Sequence, residues 1–311
     1  MPTTDLITNW KLASLSNLSG KRYLITGGNS GVGYETAMHL RRADADVLIA
    51  CRSATKGAEA ISKLGQVPGS GAITLVPLDL ASMESVRKAN DLIRTHVDGL
   101  DGVVNNAGIM APPQQTTVDG FELQFATNHL GHFLLNALTF DLVRARAGRI
   151  VPVSSMVHRM APGINFDDPM FTKKYSASDA YSQSKLANLM YGLELARRLE
   201  AAGSSVISVS AHPGYSATNL QSTGPTGLTK RIWAITNVIA AMHPREGALG
   251  EVLAVAGTEA RNGAYYGPHR FGDSRGPIGA STISDAAIDP VAAKRLWSLS
   301  EKLVGITFTP S

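Results

Sequence analysis

Short apolar runs alternate with longer helix-like segments along most of this 311-residue chain. A short run rich in Val, Ile and Leu suits a strand that is buried on both faces, and the longer segments have helical periodicity. Strands that alternate with helices are typical of a parallel sheet covered by helices on both faces. We therefore predict an α/β fold: a single doubly wound domain with a mostly parallel central sheet flanked by helices.

The predicted strands are Arg22–Thr26, Val47–Cys51, Ile73–Pro77, Gly102–Asn105, Arg149–Val153 and Ser205–Ala211. The predicted helices are Val32–Arg42, Thr55–Leu64, Met83–Val97, Phe121–Arg146 and Ala180–Ala202, with a packed C-terminal helix at Val291–Leu303. Glycine- and proline-rich pieces around 66–71 and 267–280 predict loops. The predicted organisation is an N-terminal extension (1–20) and one catalytic domain (21–311), with substrate-side segments 156–180 and 214–243 and a C-terminal extension 267–311.

Composition excludes several classes of protein. With 44% hydrophobic and 17% charged residues, the chain can bury a large core. The net charge is only +4 and no run of five like charges occurs, so nucleic acid is not an expected partner. A single cysteine, Cys51, excludes an internal disulfide and a cysteine-based zinc site, and we expect no metal. No signal peptide or bilayer-length apolar stretch is recognisable, which predicts a cytoplasmic protein without a transmembrane segment.

A glycine-rich turn, Thr26-Gly-Gly-Asn-Ser-Gly-Val-Gly33, joins the first predicted strand to the first predicted helix. Glycine permits a tight turn and a close approach of backbone to phosphate, and a helix N-terminus favours negative charge. A glycine turn can also be a loop without a ligand, but this position favours a dinucleotide pyrophosphate. The residues expected to contact the cofactor here are Gly27, Asn29, Ser30, Gly31, Val32 and Gly33.

Arg52 stands at the end of the second strand, where NAD-binding proteins often carry an acid for the ribose 2′-hydroxyl. A guanidinium can instead bind a 2′-phosphate through several donors, so NADP(H) is favoured over NAD(H). Ser53 and Lys56 are expected beside it, and Lys56 would add positive charge. The alternative is an arginine that is merely solvent-exposed at a strand end.

Tyr181 and Lys185 lie one helical turn apart in Tyr181-Ser-Gln-Ser-Lys185 and so share a helix face. An ammonium beside a phenol favours the phenolate, which predicts a lowered pKa for Tyr181 and efficient acid–base chemistry. The pair alone is weak evidence, because this spacing occurs by chance in many helices.

Further polar motifs fall at or near strand ends. They are Asp79-Leu80, Asn105-Asn-Ala-Gly108, Asn128 within Asn128-His-Leu-Gly-His132, and Ser154-Ser155. With the glycine turn and the Tyr-x-x-x-Lys pair, in this order, they resemble the short-chain dehydrogenase/reductase family over roughly residues 20–266. The resemblance implies a Rossmann-type fold, a nicotinamide cofactor and hydride exchange with a carbonyl or alcohol.

The resemblance also implies roles for individual residues. Tyr181 would be the general acid or base, and Lys185 would lower its pKa and hold the nicotinamide ribose. Ser155 rather than Ser154 would bind the substrate oxygen, and Asn128 would hold a helix distortion and a relay water. Further cofactor contacts implied are Asp79, Leu80, Asn105, Ala107, Gly108, Pro213, Gly214 and Thr218. Four histidines near these motifs are expected to be structural: His129, His132, His158 and His212.

Within the family, the chain most resembles the retinol-dehydrogenase-like and protochlorophyllide-reductase-like branch. The residues are Cys51-Arg-Ser-Ala-Thr-Lys-Gly57, Thr127-Asn-His-Leu-Gly-His-Phe133 and Tyr181-Ser-Gln-Ser-Lys-Leu-Ala-Asn188. The apolar membrane anchor of vertebrate retinol enzymes is missing, so retinol itself is not implied. Methionines and aromatics in the inserted stretch favour a bulky apolar alcohol or ketone: Met156, Met160, Met170, Phe171 and Tyr175.

Two other functions stay open at the level of sequence. One is a reductase of C=C bonds of the protochlorophyllide-reductase type, although that branch's cluster of cysteines is missing. The other is a regulator that binds NADP(H) without chemistry, which retention of Asn128, Ser155, Tyr181 and Lys185 disfavours. A homo-oligomer is possible, and the apolar segment 232–242 is a lid, a subunit face or core.

Overall fold

The computed structural model describes residues 7–215 and 243–311. Its central sheet has six parallel strands, in the spatial order β3-β2-β1-β4-β5-β6. The strands are β1 (Arg22–Thr26), β2 (Asp46–Cys51), β3 (Ile73–Pro77), β4 (Gly102–Asn105), β5 (Arg149–Pro152) and β6 (Ile207–Ser208). The order reverses between β1 and β4, and this switch point opens a crevice at the carboxyl ends of the strands. The predicted fold class is confirmed.

A second sheet continues from the sixth strand. It contains β7 (Ser210–Ala211), β8 (Tyr265–Arg270) and β9 (Arg275–Ala280), with β7 parallel to β8 and β8 antiparallel to β9. Val153, the residue after β5, pairs with Ala211 and thereby joins the two sheets. The predicted strand Ser205–Ala211 is therefore two short strands that belong to different sheets.

The predicted loop at 267–280 is wrong, because most of it forms the β8–β9 hairpin. Its glycines and prolines have low strand propensity. The hairpin forms because it buries Tyr265, Tyr266 and Ile278, each 3% exposed, and because Trp10 adds a bridge to Ile278. Tertiary packing outweighs local propensity here.

Most helices agree with prediction to within a few residues. In chain order the described helices are α1 (Gly31–Arg42), α2 (Ala54–Gly65), α3 (Met83–His96), α4 (Leu123–Phe125), α5 (Gly131–Ala145), α6 (Ala177–Ala201), α7 (Pro244–Ala256), α8 (Asp285–Ile288) and α9 (Pro290–Val304). The predicted helix Phe121–Arg146 is instead divided, because a π-helical turn, Ala126–Leu130, separates α4 from α5. A 3₁₀ helix, Met156–Met160, follows β5.

The strands bury both faces, as the continuous apolar runs predict. Leu24 and Val103 pack into the core on one face of the sheet, together with Phe133 of α5. Their neighbours Ile25 and Val104 pack into a second core on the opposite face, which α1, α2 and α7 cover. Alternating strand residues thus supply two cores, one on each side of the sheet.

Some predictions concern residues outside the described ranges. Thr218 and the segment 232–242 lie there, as does most of the segment 214–243. Among the helices that the structure describes, none combines the length and the apolar character needed to cross a membrane. The division into extensions and one catalytic domain stays a prediction.

Candidate active site

The glycine turn lies between β1 and α1, at the switch point of the sheet. Gly27 and Gly31 have φ of +68° and +57°, a conformation that residues with a side chain rarely adopt. Ser30 precedes α1 and makes no side-chain capping bond to it, so its hydroxyl does not occupy the first N–H groups of the helix. Asn29 is half-buried beside them and Val32 is buried. The predicted phosphate-binding turn therefore has the tight glycine conformation that the prediction requires, and the Ser30 side chain does not cap the helix that follows.

The end of β4 packs directly against this turn. Asn106 Nδ2 donates to Thr26 O at 2.7 Å, and Ala107 N donates to Thr26 Oγ1 at 2.9 Å. A Cβ atom at Gly27 would approach Ala107 Cα to 3.0 Å, and one at Gly33 would collide with Asn106. Both amide atoms of Asn105 are buried without a partner among the described residues. A glycine turn beside an unsatisfied amide fits a dinucleotide.

Asn128 lies in the π-helical turn and joins three segments. Its Oδ1 accepts from Ile109 N at 2.9 Å, and its Nδ2 donates to Ile109 O at 3.0 Å and to Ser184 Oγ at 2.9 Å. A Cβ atom at Gly108 would come within 3.2 Å of Asn128 Oδ1 and 3.5 Å of Lys185 Nζ. The structure therefore brings Asn128 and Lys185 together across a glycine.

The two adjacent serines point to different partners. Ser154 is 1% exposed, and its hydroxyl donates to Lys185 O at 2.7 Å, which attaches the end of β5 to α6. Ser155 is half-buried, caps the 3₁₀ helix Met156–Met160 and lies close enough to Tyr181 to lower the pKa of its phenol. Of the two, Ser155 is the serine that can share a substrate oxygen with Tyr181.

Tyr181 and Lys185 lie on α6, with Lys185 Nζ 5.9 Å from the centroid of the Tyr181 ring. Lys185 is 4% exposed, and its Nζ donates to Val153 O at 3.2 Å. Burial lowers the pKa of Lys185 to about 8, against the opposing effect of the Glu251 carboxylate. The pKa of the Lys185 ammonium therefore lies close to neutral pH.

The predicted lowering of the Tyr181 pKa is wrong for the protein alone. Burial raises the pKa of Tyr181 to about 12, and the hydrogen bond with Ser155 offsets this only in part. The physical reason is that desolvation disfavours the phenolate, while the lysine ammonium is directed to a backbone carbonyl. At neutral pH Tyr181 is consequently a proton donor.

Arg52 is exposed at the end of β2 and has no hydrogen bond or ion pair with the residues that the structure describes. Ser53 caps α2, since its Oγ accepts from Lys56 N at 3.3 Å, and the Lys56 side chain is also exposed. Two cations thus stand unneutralised at the N-terminus of a helix, a setting that favours an anion.

The other predicted cofactor contacts have varied environments. Asp79 is half-buried and its Oδ1 accepts from Ala81 N at 3.0 Å, whereas Leu80 is only 4% exposed. Pro213 and Gly214 follow β7, where His212 Nδ1 accepts from Gly214 N at 3.1 Å. Pro213 and Gly214 are both half-buried. The structure brings these segments to the carboxyl ends of the strands, and their contacts with a cofactor stay predictions.

Two glutamines that sequence reasoning missed hold the inserted stretch 156–180 in place. Gln183 accepts from Asn165 N at 2.8 Å and donates to Pro169 O at 3.1 Å. Gln124 donates to Tyr175 Oη at 3.1 Å and to Ala177 O at 3.0 Å. Their signal in the sequence is a polar residue on a helix face that should be buried.

The apolar residues of the insert do not form one surface. Met160 is 71% exposed, whereas Met170 packs against the core and its Sδ accepts from Glu122 N. Met156, Phe171 and Tyr175 are half-buried. Met156 directly follows Ser155, so it is the member of this set that lies nearest to a site residue along the chain.

The four histidines near the motifs are buried and hydrogen-bonded within the protein. His129 contacts Ser300 at 2.9 Å, and His212 contacts Ser281 at 2.8 Å. His158 Nδ1 donates to Ser155 O at 2.7 Å. The fourth, His132, bonds Thr26 and Asn128. Within residues 7–215 and 243–311, no three His, Cys, Asp or Glu side chains are placed to hold a metal ion.

Comparisons with known proteins agree with this geometry. Residues 21–227 match the family model for short chain dehydrogenases. Human retinol dehydrogenase 14 is 37% identical over 306 residues, which cover 93% of this chain and 88% of the relative. Human retinol dehydrogenase 13 is 35% identical and covers 97% of this chain and 90% of its own length. The crystal structure of an uncharacterised Mycobacterium paratuberculosis protein has a TM-score of 0.80 and 39% identity, covering 97% and 99%.

More distant structures share the fold and differ in the cofactor they hold. The Pseudomonas aeruginosa RhlG complex with NADP has a TM-score of 0.63 at 24% identity, and covers 80% of this chain and 94% of that one. A Brucella melitensis 3-ketoacyl-(acyl-carrier-protein) reductase, complexed with NADH, has a TM-score of 0.60 at 19% identity, covering 80% and 96%. Because the same fold accepts either dinucleotide, the choice depends on local residues.

Proposed function

We propose a reaction for this chain, which belongs to the short-chain dehydrogenase/reductase family: NADP(H)-dependent interconversion of a ketone or aldehyde and an alcohol. The observation that carries the proposal is the proximity of Ser155, Tyr181 and Lys185, with Lys185 close to Gly108 at the end of β4. Ser155 lies close enough to Tyr181 to affect its pKa, so two hydroxyl donors can bind one substrate oxygen.

The chain's own residues would orient the substrate and supply the proton. A bound nicotinamide supplies or accepts the hydride. Negative charge develops on the substrate oxygen during reduction, and donors already in place stabilise it. Tyr181 is protonated at neutral pH and can donate to that oxygen, while the buried Lys185 charge stabilises the phenolate that forms. Asn128 holds Ile109 and Ser184 in place around the pair.

The proposal includes an apolar substrate, which Met156 beside Ser155 supports. The exposed cations Arg52 and Lys56 support NADP(H) over NAD(H). A small molecule is the only partner that the proposal requires. A cytoplasmic location stays a prediction, and so does a possible homo-oligomer.

Replacement of the proton donor tests the reaction. With NADPH and a panel of aromatic and long-chain ketones and aldehydes, Tyr181→Phe should lower kcat at least about 100-fold. NADPH affinity, measured by fluorescence titration, should change less than about threefold, because the ring and its packing remain. Product analysis must show an alcohol. Reduction of an enone at its C=C bond alone, or tight NADPH binding without turnover across the panel, would contradict the proposal.

Reversal of one charge tests the cofactor preference. In Arg52→Asp the acid repels a 2′-phosphate and can accept from a ribose 2′-hydroxyl, so the NADPH:NADH ratio of kcat/KM should fall at least about 100-fold. Lys63→Asp makes the same change of charge in the last turn of α2 and serves as the matched control. An equal fall in both variants would mean that overall charge, rather than Arg52, sets the ratio.

A further inference from the structure

His132 lies between the glycine turn and the π-helical turn and contacts both. Its Nε2 is 2.8 Å from Thr26 Oγ1, and its Nδ1 is 2.9 Å from Asn128 O. The side chain is 3% exposed, so water does not compete for either contact. Thr26 leads directly into Gly27, the first residue of the cofactor turn.

The hydrogen-bond partners determine the tautomer of this ring. Asn128 O can only accept, so His132 Nδ1 must carry the proton. Nε2 is then an acceptor, and the Thr26 hydroxyl donates to it while accepting from Ala107 N at 2.9 Å. The other acceptor near this hydroxyl, Val104 O, is more distant at 3.3 Å. Three successive hydrogen bonds therefore run in one direction, from Ala107 N–H through Thr26 and His132 to Asn128 O.

Burial keeps His132 neutral. Together with the positive charge of Lys185, it lowers the pKa of His132 to about 4, although the hydrogen bond to the Asn128 backbone acts in the opposite direction. Protein groups occupy both ring nitrogens, so neither nitrogen is free to exchange a proton with substrate. The two fixed hydrogen bonds of the ring can only orient what they touch.

We propose that His132 is a positioning residue that couples the cofactor turn to the π-helical turn. Through Thr26 it holds the strand end from which the glycine turn begins. Through Asn128 O it fixes the residue whose amide binds Ile109 and Ser184. A dinucleotide seated on the turn thus stabilises the arrangement of Asn128 and, across Gly108, of Lys185. The expected effect on kcat rests on the proposed function, whereas the hydrogen-bonded position of His132 does not.

Ring ¹⁵N NMR of the protein without cofactor tests the structural part. We expect the neutral Nδ1–H tautomer of His132 throughout the range from about pH 5.5 to 8. In Thr26→Val the Nε2 signal should move toward that of a nitrogen without a hydrogen bond. An Nε2–H tautomer, or titration near pH 6.5, would overturn the inference even if the enzyme proved active. The signals do not depend on turnover, so they are independent of the proposed function.

Kinetics with NADPH test the coupling. His132→Leu and Thr26→Val should each lower kcat about tenfold, and the double variant should be no worse than the poorer single one, since both break one chain. KM for NADPH should rise less than about threefold. Thr26→Ser restores the hydroxyl and should recover most of the activity that Thr26→Val loses.

His129→Leu is the matched control, because it removes a buried histidine from the adjacent π-helical turn. His129 bonds Ser300 on α9 rather than the cofactor turn, so kcat should stay within about twofold. Losses that multiply in the double variant, or an equal loss in His129→Leu, would show that general destabilisation explains the effect. If His132→Leu does not fold, the Thr26→Val and Thr26→Ser pair with NMR decides.

Discussion

Tyr181 and Lys185 are one turn apart on α6, where Tyr181 is half-buried and Lys185 is buried. Their pKa values move in opposite directions, to about 12 and about 8, because burial disfavours the charged form of each. Sequence spacing predicted the contact between them but not this outcome. Desolvation depends on Val153, Ser155 and Gly108 lying around the pair, and these residues are distant along the chain.

Burial of the Lys185 ammonium should oppose stability. Its folded pKa of about 8 lies below the ordinary value of 10.5, so between these pH values the unfolded chain binds more protons. Wild-type stability should therefore gain up to about 1.4 kcal/mol per pH unit from this group as pH rises through the window. Lys185→Met should lack that gain and be about 2 kcal/mol more stable at pH 7, while losing activity.

Urea denaturation at pH 7, 8 and 9.5 measures the change. Lys63→Met is the control, since the Lys63 side chain is exposed on α2 and should leave the pH profile unaltered. A Lys185→Met variant with the wild-type pH slope would show that this ammonium is not desolvated in solution.

At the level of elements, α9 and the C-terminal tail pack against α5 and α6. Trp297 stacks on Phe308 and on Tyr191 of α6, with ring centroids 5.1 Å and 5.6 Å apart, and packs edge-on against Phe133 of α5. The Arg198 guanidinium lies 4.2 Å from the Trp297 ring. One indole thus joins α5, α6, α9 and the tail.

Truncation of that indole should be costly. Trp297 is 2% exposed, so Trp297→Ala should lower the free energy of unfolding by about 3–5 kcal/mol through lost burial and a cavity. Val291→Ala, in the same helix at a position 75% exposed, should change it by less than about 0.5 kcal/mol. Urea midpoints of the two variants measure the difference, and similar midpoints would mean that α9 is not docked in solution.

Across the whole molecule, buried neutral histidines should make the folded protein less stable in acid. Burial lowers the pKa of His39 and His132 to about 4, and of His129 and His212 to about 3. Each binds a proton in the unfolded chain below about pH 6.5, but not in the folded one. Stability from these groups is present above pH 6.5 and is lost as pH falls. Glu251, whose pKa burial raises to about 7, acts in the opposite sense.

His39, His129, His132 and His212 act in one direction and Glu251 in the other. Their net effect should lower the free energy of unfolding by up to about 4 kcal/mol per pH unit as pH falls from 6 to 4.5. Urea midpoints at pH 7, 6 and 5 measure it. His39→Leu should flatten the slope, and His96→Leu, at an exposed position, should not. A profile that stays flat down to pH 5 would contradict burial of these rings in solution.

The sequence alone determined the doubly wound sheet, most strand and helix limits, and the residues of the glycine turn. Those features follow from periodicity and backbone freedom, which are local properties of a chain. Only the tertiary structure decided that the segment Phe121–Arg146 divides into two helices at a π-helical turn, and that β8 and β9 form a hairpin. It also placed His132 between Thr26 and Asn128. These depend on long-range packing and desolvation, which residue order does not encode locally.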